Sequence, residues 1–322
     1  MSPIERLIRQ LNGELDNVDG QNLTNLAKAF DRSVYKTLQG DIDALVKLLK
    51  LEKQGVNVRA TSEFKRLMAN LEGKLVQWQN YMQMTIPQVA TGGIEMGANA
   101  AKTIVDAYGL EANFRKLNPV AIEKLLGYLQ EDGALFNRIK TMSPYYVDVI
   151  RESVINGVSL GKNPRFIADL ITKNLGMALT DSLRMTRTVQ VWSYREANRA
   201  SYIANSDVVE GWIWYATLDS DCCMSCIAQH GTFHQNSEVL DDHYNGHCAM
   251  IPVVYKGDPE IGLGTDWFNG LSEEQQRERM GDAKYEAWKD GKFELSALSK
   301  QHDDPVYTTM RSEASLKDLI GD

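Results

Sequence analysis

Apolar positions recur at helical spacing through the first two hundred residues. Leu7, Ile8, Leu11 and Leu15 open the pattern, behind Ser2-Pro3-Ile4-Glu5, which reads as a capping box with proline at the first helical position. The periodicity continues over Leu23 to Leu38 and Ile42 to Leu51, with Gly40 as the expected break. Ser62 to Met84 predicts a longer helix that ends before Pro87. Residues 90–101 (ATGGIEMGANAA) are small enough for either a loop or a closely packed helix. Further helices are predicted over Pro119–Gln130, Tyr145–Val158, Pro164–Leu175 and Thr180–Asn205.

The texture changes at Val208. VVEGWIWYATLD is β-branched and aromatic and predicts a strand, and GTFHQ (231–235) and AMIPVVY (249–255) are the next strand candidates. Ser272-Glu273-Glu274-Gln275 is a second capping box, opening a helix to about Lys289 with Gly291 as its stop. The order predicts an α+β chain, predominantly helical: a long helical N-terminal part, a small β module, then a short helical tail.

At 322 residues the chain exceeds one typical domain, and its 43% apolar and 24% charged residues allow a sizeable core. Cysteines are therefore not required as staples. The start, MSPIERLIRQLNGEL, carries charges where a signal peptide needs an apolar stretch. The longest uncharged run, Leu75 to Ile94, contains Gln77, Gln79, Asn80, Gln83, Pro87 and Gln88, so no membrane insertion is expected. A net charge of −8 is unevenly spread. Residues 137–199 carry ten Lys/Arg against five Asp/Glu, and residues 256–322 nine against fifteen, which suggests an anionic partner near the middle and a solvated acidic tail.

All four cysteines (Cys222, Cys223, Cys226, Cys248) and four of the five histidines (His230, His234, His243, His247) fall within residues 222–248. Cys223-Met-Ser-Cys226 has the spacing of a zinc half-site, and the second half would come from His243, His247 or Cys248. Cys222 is surplus. The competing reading is a knot of small buried thiols without metal. Asp242-His243 beside a C-x2-C also fits a metal-dependent endonuclease of the His-Asn-His type, although the strand–helix frame that such a site needs does not follow it.

On a helical wheel Arg184, Arg187, Arg195 and Arg199 fall within an arc of about 120°, opposite Met185, Val189, Trp192, Ala200 and Ile203. Four guanidiniums on one face suit phosphate or carboxylate. The plainer alternative is a solvated face, or pairing with Asp181 and the acidic tail. Glu196 lies near the apolar arc and is expected to pair with an arginine.

Trp214, then Asp219, Cys223-x2-Cys226, Gly231, Phe233, and a His/Cys pair leading into Pro252-Val253-Val254 resemble the phage head morphogenesis family, the minor head proteins of the phage Mu type. Arg187-Thr188 resembles the start of the family's preceding helix, and residues 265–298 resemble its closing Trp, Gln-rich helix and basic turn. Val189 stands where the family favours Glu, and Ala249 and Met250 follow Cys248 where it has Arg and often a second Cys. His247 or His243 is then left to complete any tetrahedron.

The resemblance implies a non-enzymatic virion protein of the head interior, assembled in the host cytoplasm. It would be associated with the portal protein and with capsid or scaffolding protein, and act in head assembly or in DNA packaging and delivery, with double-stranded DNA a further candidate partner. Residues 1–143 would be a helical interaction region and 144–298 the head-morphogenesis domain. The β module at 208–255 would be clasped by one structural zinc, with Trp214, Asp219, Gly231 and Pro252 in structural roles, and 299–322 would be an acidic tail. The alternatives are the endonuclease and a zinc-stabilised DNA-binding protein.

Overall fold

A computed structural model describes residues 3–52, 54, 56–110, 133–160, 162–255, 257 and 259–321. The chain is α+β and predominantly helical. Its long helices are α1 (Pro3–Phe30), α2 (Lys36–Glu52, joined to α1 by a π turn at Asp31–Tyr35), α3 (Ser62–Ala107), α4 (Ala134–Ser159) and α5 (Pro164–Ala204). Strands β1 (Val209–Tyr215), β2 (Phe233–Gln235) and β3 (Ala249–Val254) follow, with the short α6 (Met224–Gln229) between β1 and β2. Then come α7 (Gly264–Asn269), α8 (Glu273–Met280), α9 (Asp282–Lys289), a hairpin of β4 (Ser299–Asp304) and β5 (Thr308–Glu313), and α10 (Leu316–Ile320). No helix of the described residues is long and apolar enough to cross a membrane.

The helices are longer than their sequence signals suggest. Gly40 interrupts nothing, lying inside α2. α3 runs through Pro87, with Ile86, Val89 and Ala90 all buried. Burial of both flanking turns outweighs the roughly 3 kcal/mol that an interior proline costs. The two helices expected at 164–175 and 180–205 are one, because nothing at Gly176 stops α5. In the opposite sense, the helix expected from Ser272 to Lys289 breaks at Gly281, whose φ of 80° lies in the left-handed region that favours glycine. The capping box at Ser272 is present. The helix expected at Pro119–Gln130 lies outside the described residues, as does Ser2 of the first capping box.

The described residues partition out of sequence order into two compact units: those within 3–17, 90–110 and 190–321 form one, and those within 18–89 and 133–189 the other. The second is helical and is centred on Trp78, edge-on to Phe30 at 4.8 Å, with its indole N–H donating to Ser182 Oγ at 2.9 Å.

The first unit holds the β module. Its sheet has the order β2-β1-β3 and is antiparallel throughout, with Trp214 opposite Met250 and Trp212 opposite Pro252. A proline is tolerated in β3 because β3 is an edge strand. One sheet face packs on Ile8, Ile104 and their neighbours through Ile213, Tyr215 and Ile251, and the other buries Trp212, Trp214 and Met250 against Ala101, Val105 and Tyr202. The small residues at 90–101 are helical and explain themselves here. A Cβ on Gly93 would stand 2.5 Å from the Gln190 carbonyl oxygen, and one on Gly97 2.2 Å from that of Tyr194. The α3 and α5 backbones therefore touch along this stretch.

The tail is the largest departure from expectation. Residues 299–313 are a two-stranded hairpin, largely exposed along β4. Arg311 Nε and Gln301 Nε2 donate to the buried carboxylate of Asp241 at 2.7 and 2.6 Å, and Tyr244 Oη donates to Asp304 at 2.6 Å. The hairpin thus grips the loop that enters the Cys/His cluster.

Candidate metal centre

The cluster is assembled from two places. The first is the N-terminus of α6, where Cys223 is the cap residue with extended backbone and its sulfur accepts from the Cys226 amide at 3.4 Å. Three residues on, Cys226 points from the first helical turn to the same side. The second is the loop 241–248, folded back on itself by a turn in which the Gly246 amide donates to the His243 carbonyl at 2.9 Å. Asn245 takes a left-handed conformation there (φ 60°), which asparagine tolerates. Gly246 has no substitute: a Cβ would lie 2.0 Å from Asp242 Oδ2.

Asp242 organises the loop from inside. Its carboxylate is fully buried and accepts from the His243 amide at 2.8 Å, the Cys248 amide at 3.2 Å and Arg195 Nη2 at 2.7 Å. Burial pushes this carboxyl up, but Arg195, His243 and the two amides together hold it below the usual carboxylate range. Arg195 also donates to the carbonyls of Cys248 at 2.8 Å and Gly246 at 3.1 Å.

His243 is turned by its own neighbour. Its Nδ1 donates to the Tyr244 carbonyl at 2.9 Å, leaving Nε2 directed at Cys223 Sγ and Cys226 Sγ, each 3.4 Å away. A metal bound at ~2.3 Å from sulfur and ~2.0 Å from nitrogen in a tetrahedron separates those donors by about 3.5 Å. The described residues thus bring the three donor atoms together at coordination spacing, and the ring orientation is the one a second hydrogen bond gives to metal-ligating histidines. Without metal the same geometry makes an ion pair. Hydrogen bonding from Cys226 and His243 draws the Cys223 thiol down to about 5 against burial, and Cys223 in turn raises His243 to about 9. The Cys226 thiol is pushed up, first by its hydrogen bonds to Cys223 and Cys248 and then by burial.

Cys226, Cys248 and an oxygen of Asp242 form a second close set, sharing only Cys226 with the first. The Cys/His cluster of Cys223, Cys226, His243 and Cys248 could hold a metal ion, with Cys223, Cys226 and His243 as its close triad and Cys248 in contact through Cys226. Of the two histidine candidates, His243 joins the cluster. His247 turns outward instead, half exposed, with Nδ1 2.7 Å from Asp16 Oδ1. Cys222 belongs to neither close set, and burial pushes its thiol up. His230 is buried with Nδ1 accepting from the Ala216 amide at 3.0 Å, and His234 stacks on Trp212 at 4.4 Å.

The resemblance-bearing residues surround this site. Trp214 is buried in β1. Gly231, at φ 83°, donates its amide to the Trp214 carbonyl at 2.8 Å and leaves no room for a Cβ against Gly262. Asp219 is exposed in the turn after β1, its Oδ1 accepting from the Asp221 amide at 3.0 Å.

The four arginines do not share an anion-binding face. Arg195 is 5% exposed and braces Asp242 and the 246–248 backbone beside the cluster. Arg199 pairs with Glu196 at 2.7 Å, the partner expected for that glutamate. Arg187 pairs with the buried Asp19 at 2.6 Å, and Arg184 lies 3.6 Å from Asp181. Conversely Ile203, placed on the apolar arc, is 45% exposed. A wheel assumes one buried face, whereas between residues 188 and 198 nearly every α5 side chain is buried.

A cavity of about 500 Å³ opens over the cluster, wholly within the first unit. Cys223, His243 and Cys248 are on its floor, and residues of α1 and the turn after β1 form its walls.

Comparison with known proteins finds no match. No family model, no curated protein and no solved structure is similar to the chain at a significant level.

Proposed function

We propose that the chain is a structural minor head protein of a tailed phage, in which one zinc ion bound by the Cys/His cluster fixes the β module. What carries the zinc reading is the meeting of Cys223, Cys226 and His243 at coordination spacing from two separate segments. Two thiolates and an imidazole favour zinc among the common divalent ions. The ion would join the N-terminus of α6 to the 241–248 loop, and through that loop to the C-terminal hairpin. Its binding energy would then be folding energy for a module of short strands.

The head-protein reading rests on the resemblance in residues 145–298, whose motif residues lie in and around this one module. On this reading the protein binds the portal protein, sits in the virion head interior and is not an enzyme. Capsid or scaffolding protein and double-stranded DNA are its further candidate partners. Its test is size-exclusion chromatography of the purified chain with the purified portal protein of the same phage. Co-elution supports the reading, and separate elution at micromolar concentrations of both overturns it. The endonuclease alternative has the Asp242–His243 pair beside a C-x2-C behind it, without the strand–helix frame such a site needs.

A further inference from the structure

The two close sets of donors differ in what already occupies them. In the set of Cys226, Cys248 and Asp242, the Arg195 guanidinium stands 2.7 Å from Asp242 Oδ2 and is bonded to the Cys248 carbonyl. A cation is therefore in place there. In the set of Cys223, Cys226 and His243 the two sulfurs face the His243 ring nitrogen, itself a ligand, and Cys248 does not complete it: the four donor atoms do not all lie within 4.8 Å of one another, whereas a tetrahedral site needs sulfurs about 3.8 Å apart. This set borders the 500 Å³ cavity, and Cys223 and His243 are only partly buried.

We propose that a metal ion held by Cys223, Cys226 and His243 keeps its fourth position open to this cavity, where it takes a neutral nitrogen or oxygen donor instead of the Cys248 thiolate. The inference rests on the metal reading given above. Its ligand class follows from charge. Two thiolates already balance a divalent ion. The cavity wall carries the carboxylates of Asp16, Asp219 and Asp221 against the guanidinium of Arg9, with His247 paired to Asp16. An anion entering there would meet net negative charge, and a neutral or cationic molecule would not. The volume suits a small molecule or the end of a partner's side chain.

The experiment uses the full chain loaded with cobalt(II), whose visible bands report coordination and whose near-ultraviolet charge-transfer bands scale with the number of thiolates. Imidazole and azide are then titrated separately as probes. We expect imidazole to shift the visible bands at concentrations at least tenfold below those at which azide does. Cys248→Ser should leave the charge-transfer intensity unchanged, while Cys223→Ser should lose about half of it.

If cobalt gives no thiolate bands, the metal reading itself fails. A cobalt spectrum that imidazole does not alter, with one third of its charge-transfer intensity lost in Cys248→Ser, leaves the metal reading standing and overturns the open position. Azide binding more tightly than imidazole overturns the ligand class. The titration on the unsubstituted chain decides the matter even if Cys248→Ser does not fold.

Discussion

Arg195 and Arg199 are four residues apart on one helix and were grouped by the wheel, yet their surroundings differ. Removing Arg195 leaves Asp242 charged and fully buried, and leaves two carbonyls without their donor. We predict that Arg195→Met lowers unfolding stability by about 3–5 kcal/mol. Arg184→Ala, which loses only an exposed pair, should cost less than ~1 kcal/mol. Equal effects of the two in urea unfolding would contradict the bracing role of Arg195.

The Cys223–His243 pair gives a pH signature to the metal-free chain. His243 is raised from 6.5 to about 9, so its contribution is complete below 6.5 and is lost as pH rises through 9. Cys223 is lowered from 9.0 to about 5, so its contribution is complete above 9 and is lost as pH falls through 5. The opposing slopes cancel between 6.5 and 9, leaving a net fall from 6.5 to 5. With chelator present, the stability advantage of the unsubstituted chain over Cys223→Ser should be level across the upper range and shrink toward pH 5. An advantage that grows on acidification would refute the pairing.

At the scale of elements, the three strands of the sheet were legible because alternating β-branched and aromatic residues between turn residues admit few other readings. Helix limits were not, since Pro87, Gly40 and Gly176 are overridden by packing that no local signal encodes. The hairpin at 299–313 was invisible for a different reason. Its strands are polar on both faces, with Met310 their buried apolar side chain and Val306 and Tyr307 buried in the turn between them, so neither period stands out. In the site, C-x2-C and Cys248 were legible by type and spacing. The choice of His243 over His247, and the roles of Asp242 and Arg195, depend on contacts across 47 residues and on a turn at Asn245-Gly246.

The small-residue stretch makes its own test: Gly97→Ala should destabilise through collision with the Tyr194 carbonyl, whereas Gly92→Ala meets nothing within 4 Å and should stabilise the helix by about 0.5–1 kcal/mol. Thermal melts of the two variants shifting in the same direction would argue against the close approach of α3 and α5.

For the whole molecule, the C-terminal hairpin and the cluster stand or fall together. Ending the chain at Leu298 removes Arg311 and Gln301 from Asp241, whose side chain is 3% exposed, and frees the Tyr244 end of the loop. The truncated chain should bind cobalt(II) more weakly and melt at a lower temperature than the full one. A truncated chain with full affinity would show that the hairpin is an independent appendage. Incubation of the full chain with supercoiled DNA and Mg²⁺, Mn²⁺ or Zn²⁺ should give no cutting, and cleavage lost on His243→Ala would promote the endonuclease reading instead.

The claim on which these expectations converge is that one metal ion joins α6 to the 241–248 loop. Elemental analysis of the protein as purified, alongside Cys223→Ser and Cys222→Ser, tests it most directly. We predict one zinc per chain in the unsubstituted protein and in Cys222→Ser, and a loss of at least tenfold in Cys223→Ser. Metal absent from all three, or retained in full by Cys223→Ser, would contradict it.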